Sequence, residues 1–187
     1  MSNENALREE ICEVGASLYA RGYTVGSAGN ISARLEDGWL ITPTDACLGR
    51  LDPAAIAKVS LAGEWVSGDK PSKTLALHRQ VYDRNPGVGG MVHTHSTHLV
   101  ALTLAGVWHE DDILPPLTPY QVMKVGHIPL IAYERPGSPK VAERVAALAG
   151  TSDLVSLANA QREAEEAQTR AKAARAKADK LTKALAA

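Results

Sequence analysis

Glycine and proline stop at residue 150. All ten prolines and all fifteen glycines lie at or before Gly150, and residues 151–187 contain neither. Proline removes a backbone donor and fixes φ, and glycine opens backbone conformations closed to other residues, so the two punctuate a chain into short elements. The first 150 residues must therefore fold as short elements joined by turns. The last segment has nothing in it to stop a helix. Two parts are expected: a domain over 1–150 and a long helix over 151–187.

Within the first part, helical and strand patterns alternate. Leu7, Ile11, Val14 and Leu18 recur at helical spacing over 4–21, ending near Gly22. Asn30 to Leu35, a Glu-Asp-Gly turn and Trp39 to Thr42 read as a β-hairpin. LDPAAIAKVSL fits a short helix with Pro53 in its first turn, followed by a strand over 58–61. Residues 73–84 read as a helix capped by Ser72. VGGMVHTH over 88–95 reads as a short strand, followed by a helix from Thr97 to Ala105. A proline-rich loop, a helical turn at 119–124 and the strand HIPLIAY follow. The last element is a helix with Ser138 as N-cap, Pro139 at its first position and Gly150 past its end. This interleaving predicts an α/β domain with a mixed or antiparallel sheet covered by helices.

The segment 151–187 is dominated by Ala, Glu, Lys, Arg and Gln, with Glu166–Arg170 and Asp179–Lys183 as acid-before-base pairs four residues apart. It predicts one continuous helix from Ser152 or Asp153 onward. Net charge is −1, which implies no general attraction to nucleic acid or to an anionic membrane. There is no apolar run of membrane-spanning length and no signal-like N-terminus, so the chain reads as soluble and cytoplasmic. Cys12 and Cys47, far apart in sequence, read as two reduced, buried thiols.

The chemistry concentrates in MVHTHSTHLV, residues 91–100. Residues i and i+2 of a strand point to one side, so His93 and His95 would project together, as two metal ligands must. Imidazole suits zinc, which in catalytic sites takes about three protein ligands and keeps one open position. Two neutral histidines packed at a strand end are the structural alternative, and His98 falls past the strand. Three loops accompany the pair. GSAGNIS places Gly29 and Asn30 where backbone N–H groups can approach an anion. ITPTDA puts Thr42 and Thr44 beside a turn. KPSKT puts Ser72 and Lys73 at a helix N-terminus, a natural phosphate site.

GSAGNIS, ITPTD, KPSKTLALH and HTHSTH, in this order, resemble the class II aldolase/adducin family over about residues 5–159. KPSKTLALHRQVY, HTHSTHLVALTL and ILPPLTPYQVMKVGHIPLIAY are most similar to its 3-oxo-tetronate 4-phosphate decarboxylase branch. The resemblance implies a three-layer domain with its sheet between helices. It implies zinc held by three histidines, a sugar-acid phosphate substrate, and a homotetramer with fourfold symmetry whose active sites lie at subunit boundaries. His93 and His95 match two zinc ligands. Gly29, Asn30, Thr42, Thr44, Ser72 and Lys73 match positions lining the phosphate pocket.

Two positions depart from the family pattern. Thr74 stands where many members carry a Glu or Asp as acid/base, which leaves Tyr120 or water as the proton donor. The third zinc ligand ends a Leu-Ala-Asn-His-Gly strand in the family, and Ala160 stands here in its place. The expectation is an engineered homotetrameric scaffold: a class II aldolase subunit fused to an idealised helix, with an incomplete zinc site and little or no activity. An active zinc-dependent decarboxylase or aldolase and an adducin-like binding module are the alternatives.

Overall fold

A computed structural model describes residues 3–105, 112–114, 117–124, 127–131, 134, 138–149 and 156–157. Helix α1 (Asn3–Ala20) leads into strands β1 (Asn30–Arg34) and β2 (Gly38–Ile41). A 3-10 turn at Leu48–Arg50 precedes β3 (Ala57–Ser60) and β4 (Trp65–Ser67). Next come α2 (Leu75–Arg84), β5 (Gly90–His93), α3 (Thr97–Ala105), α4 (Pro119–Lys124), β6 (Leu130–Ile131), α5 (Pro139–Leu148) and β7 (Ser156–Leu157). The main sheet has the order β4-β3-β2-β1-β5, with every neighbouring pair antiparallel. A parallel pair, β6 with β7, stands apart from it.

The period-two alternation of the strands decides what each helix covers. Ile31 and Ala33 of β1 and Leu40 of β2 turn to one face, where they pack with Ile11 of α1, Leu48 and Ile56. Trp39 and Ile41 of β2 and Ala57 and Val59 of β3 turn to the other, against Tyr82 of α2. Behind α2, its residues Leu77 and Val81 pack on Ile131 and on Ala142 and Val145 of α5. The result is an α/β domain with an antiparallel sheet between helices, as the sequence predicted. Lys58, on the α1 face of β3, is held by Glu4 at 3.0 Å and Asp37 at 2.7 Å, and Glu4 also binds Arg8 at 2.9 Å.

Several expected boundaries move. The short helix at LDPAAI is an Asx turn instead: the Asp52 carboxylate accepts the Ala54 N–H at 2.9 Å and the Asp52 carbonyl accepts that of Ala55. Arg8 reaches over from α1 to bind the Pro53 carbonyl, which holds the turn open. The helix expected from Lys73 under a Ser72 cap starts at Leu75 with Thr74 at its N-cap. Ser72 stands just ahead of the helix: its N–H bonds to the Thr42 carbonyl at 3.2 Å, its carbonyl accepts the Leu75 N–H at 3.1 Å, and its hydroxyl oxygen accepts the Thr74 N–H at 3.4 Å. The strand expected over 88–95 ends at His93, so His95 does not share it.

The continuous helix expected from residue 152 is contradicted at Ser156–Leu157, which pair in parallel with Leu130–Ile131. Pairing to a distant strand overrides local helix propensity there. The rest of the expected helix, residues 158–187, lies outside the described residues, as does Gly150. Among the described residues no helix is long and apolar enough to cross a membrane.

Candidate active site

One end of the main sheet gathers the start of β1, the end of β2, the start of β3 and the end of β5. Its entry is shaped by Gly29, at φ +87°, where a Cβ would lie 2.7 Å from the His93 carbonyl oxygen. Only glycine allows both that backbone turn and that approach. Asn30 then begins β1 directly opposite His93 of β5. Opposed residues of an antiparallel pair point to the same face, here the face covered by α2.

On that face Asn30 and Ser32, two residues apart on a strand, meet His78 and Tyr82, four apart on a helix. The four side chains and His93 form an unbroken chain of hydrogen bonds. Tyr82 OH lies 2.7 Å from Ser32 Oγ, and Ser32 Oγ 2.7 Å from His78 Nδ1. His78 Nε2 lies 2.6 Å from Asn30 Oδ1, and Asn30 Nδ2 3.2 Å from His93 Nδ1. His78 is 0% exposed, Ser32 and Tyr82 1% and Asn30 6%. Burial pushes the His78 pKa down to about 3, with His93 adding to the effect. Burial, then the neighbouring His95, pushes that of His93 down to about 4. Both rings are therefore neutral near pH 7, the form in which imidazole binds a metal. Burial also raises the Tyr82 phenol above its ordinary range.

The two predicted ligands come together although they do not share a strand: the His93 and His95 rings are 5.0 Å apart, centre to centre, and tilted by 43°. His93 is half-buried and His95 exposed. His98 is exposed on α3. His127 lies beside Asp112, Nδ1 to Oδ2 at 3.2 Å. No group of three His, Cys, Asp or Glu placed to hold a metal occurs among the described residues.

The loops predicted to bind phosphate are also brought side by side. Pro43 and Pro71 form a bridge, the Thr44 N–H bonds to the Lys70 carbonyl at 2.9 Å, and the Ser72 N–H bonds to that of Thr42. Their side chains differ in availability. The Thr42 hydroxyl is buried and accepts the Ile31 N–H at 3.2 Å, which ties the loop to β1. Thr44 is half-buried. Ser72 and Thr74 pair through their hydroxyls at 2.9 Å. Lys73 extends into solvent, 3.6 Å from Asp45, which holds a positive φ of 58°. Tyr120, on α4, is 72% exposed.

The small-residue loop, the hydroxyl-bearing helix entry and the two histidines at and past the end of β5 all fall within residues 9–160, which match the model of the class II aldolase and adducin N-terminal domain. The chain belongs to this family. It is 77% identical over 149 residues to a 3-oxo-tetronate 4-phosphate decarboxylase of Cupriavidus necator, covering 80% of this chain and 69% of that one. An Escherichia coli K12 protein of the same name is 45% identical over 157 residues, 83% of this chain and 74% of that one. Among solved structures, YgbL from Klebsiella pneumoniae superposes with a TM-score of 0.79 at 42% identity, covering 91% and 86% of the two chains. The L-fuculose-1-phosphate aldolase of Thermus thermophilus does so at 0.70 and 29%, covering 81% and 74%.

The match to the class II aldolase model runs through β7 to Ala160, so the family domain extends past Gly150. Ala160 itself lies outside the described residues. Sequence reasoning singled out His93, His95 and Asn30 but missed Ser32, His78 and Tyr82. A signal was present: polar residues at every second position of β1, Asn30, Ser32 and Arg34, with a histidine and a tyrosine four apart in α2.

Proposed function

We propose that this chain derives from a sugar-phosphate decarboxylase acting on 3-oxo-tetronate 4-phosphate, that it binds zinc through His93 and His95, and that its turnover is impaired. The observation that carries this reading is the 77% identity to a decarboxylase of that name. Ala160, at the position of the third family ligand, supports the impairment. The glycine- and proline-free composition of residues 158–187 supports an engineered helix appended to the subunit. The assembly proposed is a homotetramer of fourfold symmetry.

Two imidazoles 5.0 Å apart suit zinc as half of a site, but the described residues add no third ligand. A bound ion would supply a Lewis acid for the 3-oxo group. The chain's own residues would do the rest. Lys73, exposed at the mouth of the three loops, would take the phosphate, with the Thr44 and Ser72 hydroxyls beside it. In the reaction the C1–C2 bond breaks and carbon dioxide leaves. The electron pair stays on C2, conjugated with the 3-oxo group, and a proton then adds at C2 to give dihydroxyacetone phosphate.

No base is needed to begin, so Thr74 in place of a carboxylate does not block the first step. Its hydroxyl, paired with Ser72, is a poor acid for the second. Tyr120, an exposed phenol, is the proposed proton donor.

A coupled assay for dihydroxyacetone phosphate on the zinc-supplemented chain tests the reading. Absent or strongly reduced turnover is expected. A rate within about 1–10³ s⁻¹, the ordinary enzyme range, would restore the active decarboxylase in its place.

A further inference from the structure

Among the described residues, Asp45 is the one residue other than glycine with a positive φ, at 58°. Its turn is closed by the Ala46 N–H on the Pro43 carbonyl at 3.4 Å. That backbone conformation is costly for a residue with a Cβ, least so for Asp and Asn. The turn is tied to the loop that carries Lys73. Pro43 bridges Pro71, the Thr44 N–H bonds to the Lys70 carbonyl, and the Ser72 N–H bonds to that of Thr42. With the two loops held side by side, Asp45 Oδ2 stands 3.6 Å from Lys73 Nζ. The two side chains are 77% and 75% exposed, a setting in which an ion pair adds little to stability. Stability therefore does not account for a carboxylate at this place, since Asn or Gly would close the same turn without a charge.

We infer that Asp45 limits the affinity of the phosphate site: its carboxylate occupies Lys73 before a ligand arrives, must be set aside when a phosphate binds, and so weakens the hold on any phosphorylated ligand. This inference rests on the reading that Lys73 takes the phosphate. With Asp45 beside it, Lys73 presents the mouth of the three loops with a neutral pair in place of a free cation. A phosphate monoester carries close to two negative charges near neutral pH. It gains the ammonium by displacing the carboxylate, and is repelled by that carboxylate wherever the two stay near each other. In a substrate cleaved between C1 and C2, the C4 phosphate is remote from the bond that breaks and is unchanged by the reaction. Its attraction is then the same in substrate, transition state and product. Such uniform binding lowers KM without raising kcat, and it holds the phosphorylated product as firmly as the substrate. A resident carboxylate that offsets this attraction shortens the stay of the product and leaves the chemical step untouched.

Titration calorimetry of the full-length protein with inorganic phosphate tests the role of Asp45, at fixed ionic strength and at a pH where phosphate is the dianion. Asp45→Asn keeps the turn and removes the charge. A unit charge a few ångströms away in water changes affinity about fivefold, so this variant should bind phosphate about three- to tenfold tighter. Added salt should shrink the gain. Asp45→Gly, which takes a positive φ without strain, should match Asp45→Asn. Lys73→Met should lose most of the binding.

Unchanged or weaker binding in Asp45→Asn, with Lys73→Met still losing it, would overturn the role of Asp45 and leave the Lys73 reading standing. Unchanged binding in Lys73→Met would overturn that reading and the inference with it. A gain in Asp45→Gly alone would assign the effect to the backbone and overturn the role of the carboxylate.

Discussion

Replacing Ser32 by alanine removes one oxygen and strands two polar atoms. Ser32 Oγ is the 2.7 Å partner of both His78 Nδ1 and Tyr82 OH. All three residues are 1% exposed or less, so water does not replace the hydroxyl. Leaving a buried polar group unpaired costs about 1–3 kcal/mol. Ser32→Ala should therefore destabilise the fold by about 2–4 kcal/mol, a large share of the roughly 5–15 kcal/mol that holds a domain together. Tyr82→Phe keeps the Ser32 to His78 bond and should cost about 1 kcal/mol. The double variant strands only the His78 nitrogen, so it should cost about 1–2 kcal/mol less than the sum of the two. Urea unfolding at fixed protein concentration measures all three. A Ser32→Ala cost under about 0.5 kcal/mol, or strict additivity in the double variant, would refute the continuous chain.

Acid should weaken the fold through the same residues. The His78 pKa is lowered to about 3 from 6.5, so between those values the unfolded state binds the extra proton. Stability is full above about pH 6.5 and lost as pH falls, at about 1.4 kcal/mol per unit for this group. His93, lowered to about 4, adds to the slope. A urea midpoint that does not fall between about pH 6.5 and about pH 5 would contradict the buried neutral rings. Ala160→His should restore the missing ligand and raise zinc affinity at least about 10–100-fold, judged from the cost of losing even indirect support. Chelator competition reads it, and unchanged affinity would show that the third ligand position is not at residue 160. Light scattering should give about four times the 19.8 kDa of one chain. A single-chain mass at micromolar concentration would remove the homotetramer.

The fold was legible where periodicity and punctuation agree. The spacing of Leu7, Ile11 and Leu18 marks α1, the Glu-Asp-Gly turn marks the β1–β2 hairpin, and Ser138-Pro139 marks the start of α5. It was not legible where a distant partner decides. Ser72 bonds across to Thr42 ahead of a helix that starts only at Leu75, Arg8 bonds to a turn where a helix was expected, and Leu130–Ile131 draws Ser156–Leu157 into a strand. The site was legible as motifs on separate loops. The hydrogen-bond chain joining them was not, because its register depends on how α2 crosses the sheet, and no local pattern encodes that crossing.

Zinc is proposed to meet two histidines of this chain rather than three. X-ray absorption at the zinc edge, on the full-length protein loaded with one equivalent of zinc, counts bound imidazoles directly. Two are expected, from His93 and His95, with the remaining positions filled by oxygen. Three imidazoles would contradict it and show that another histidine, such as His98 or His127, completes the site.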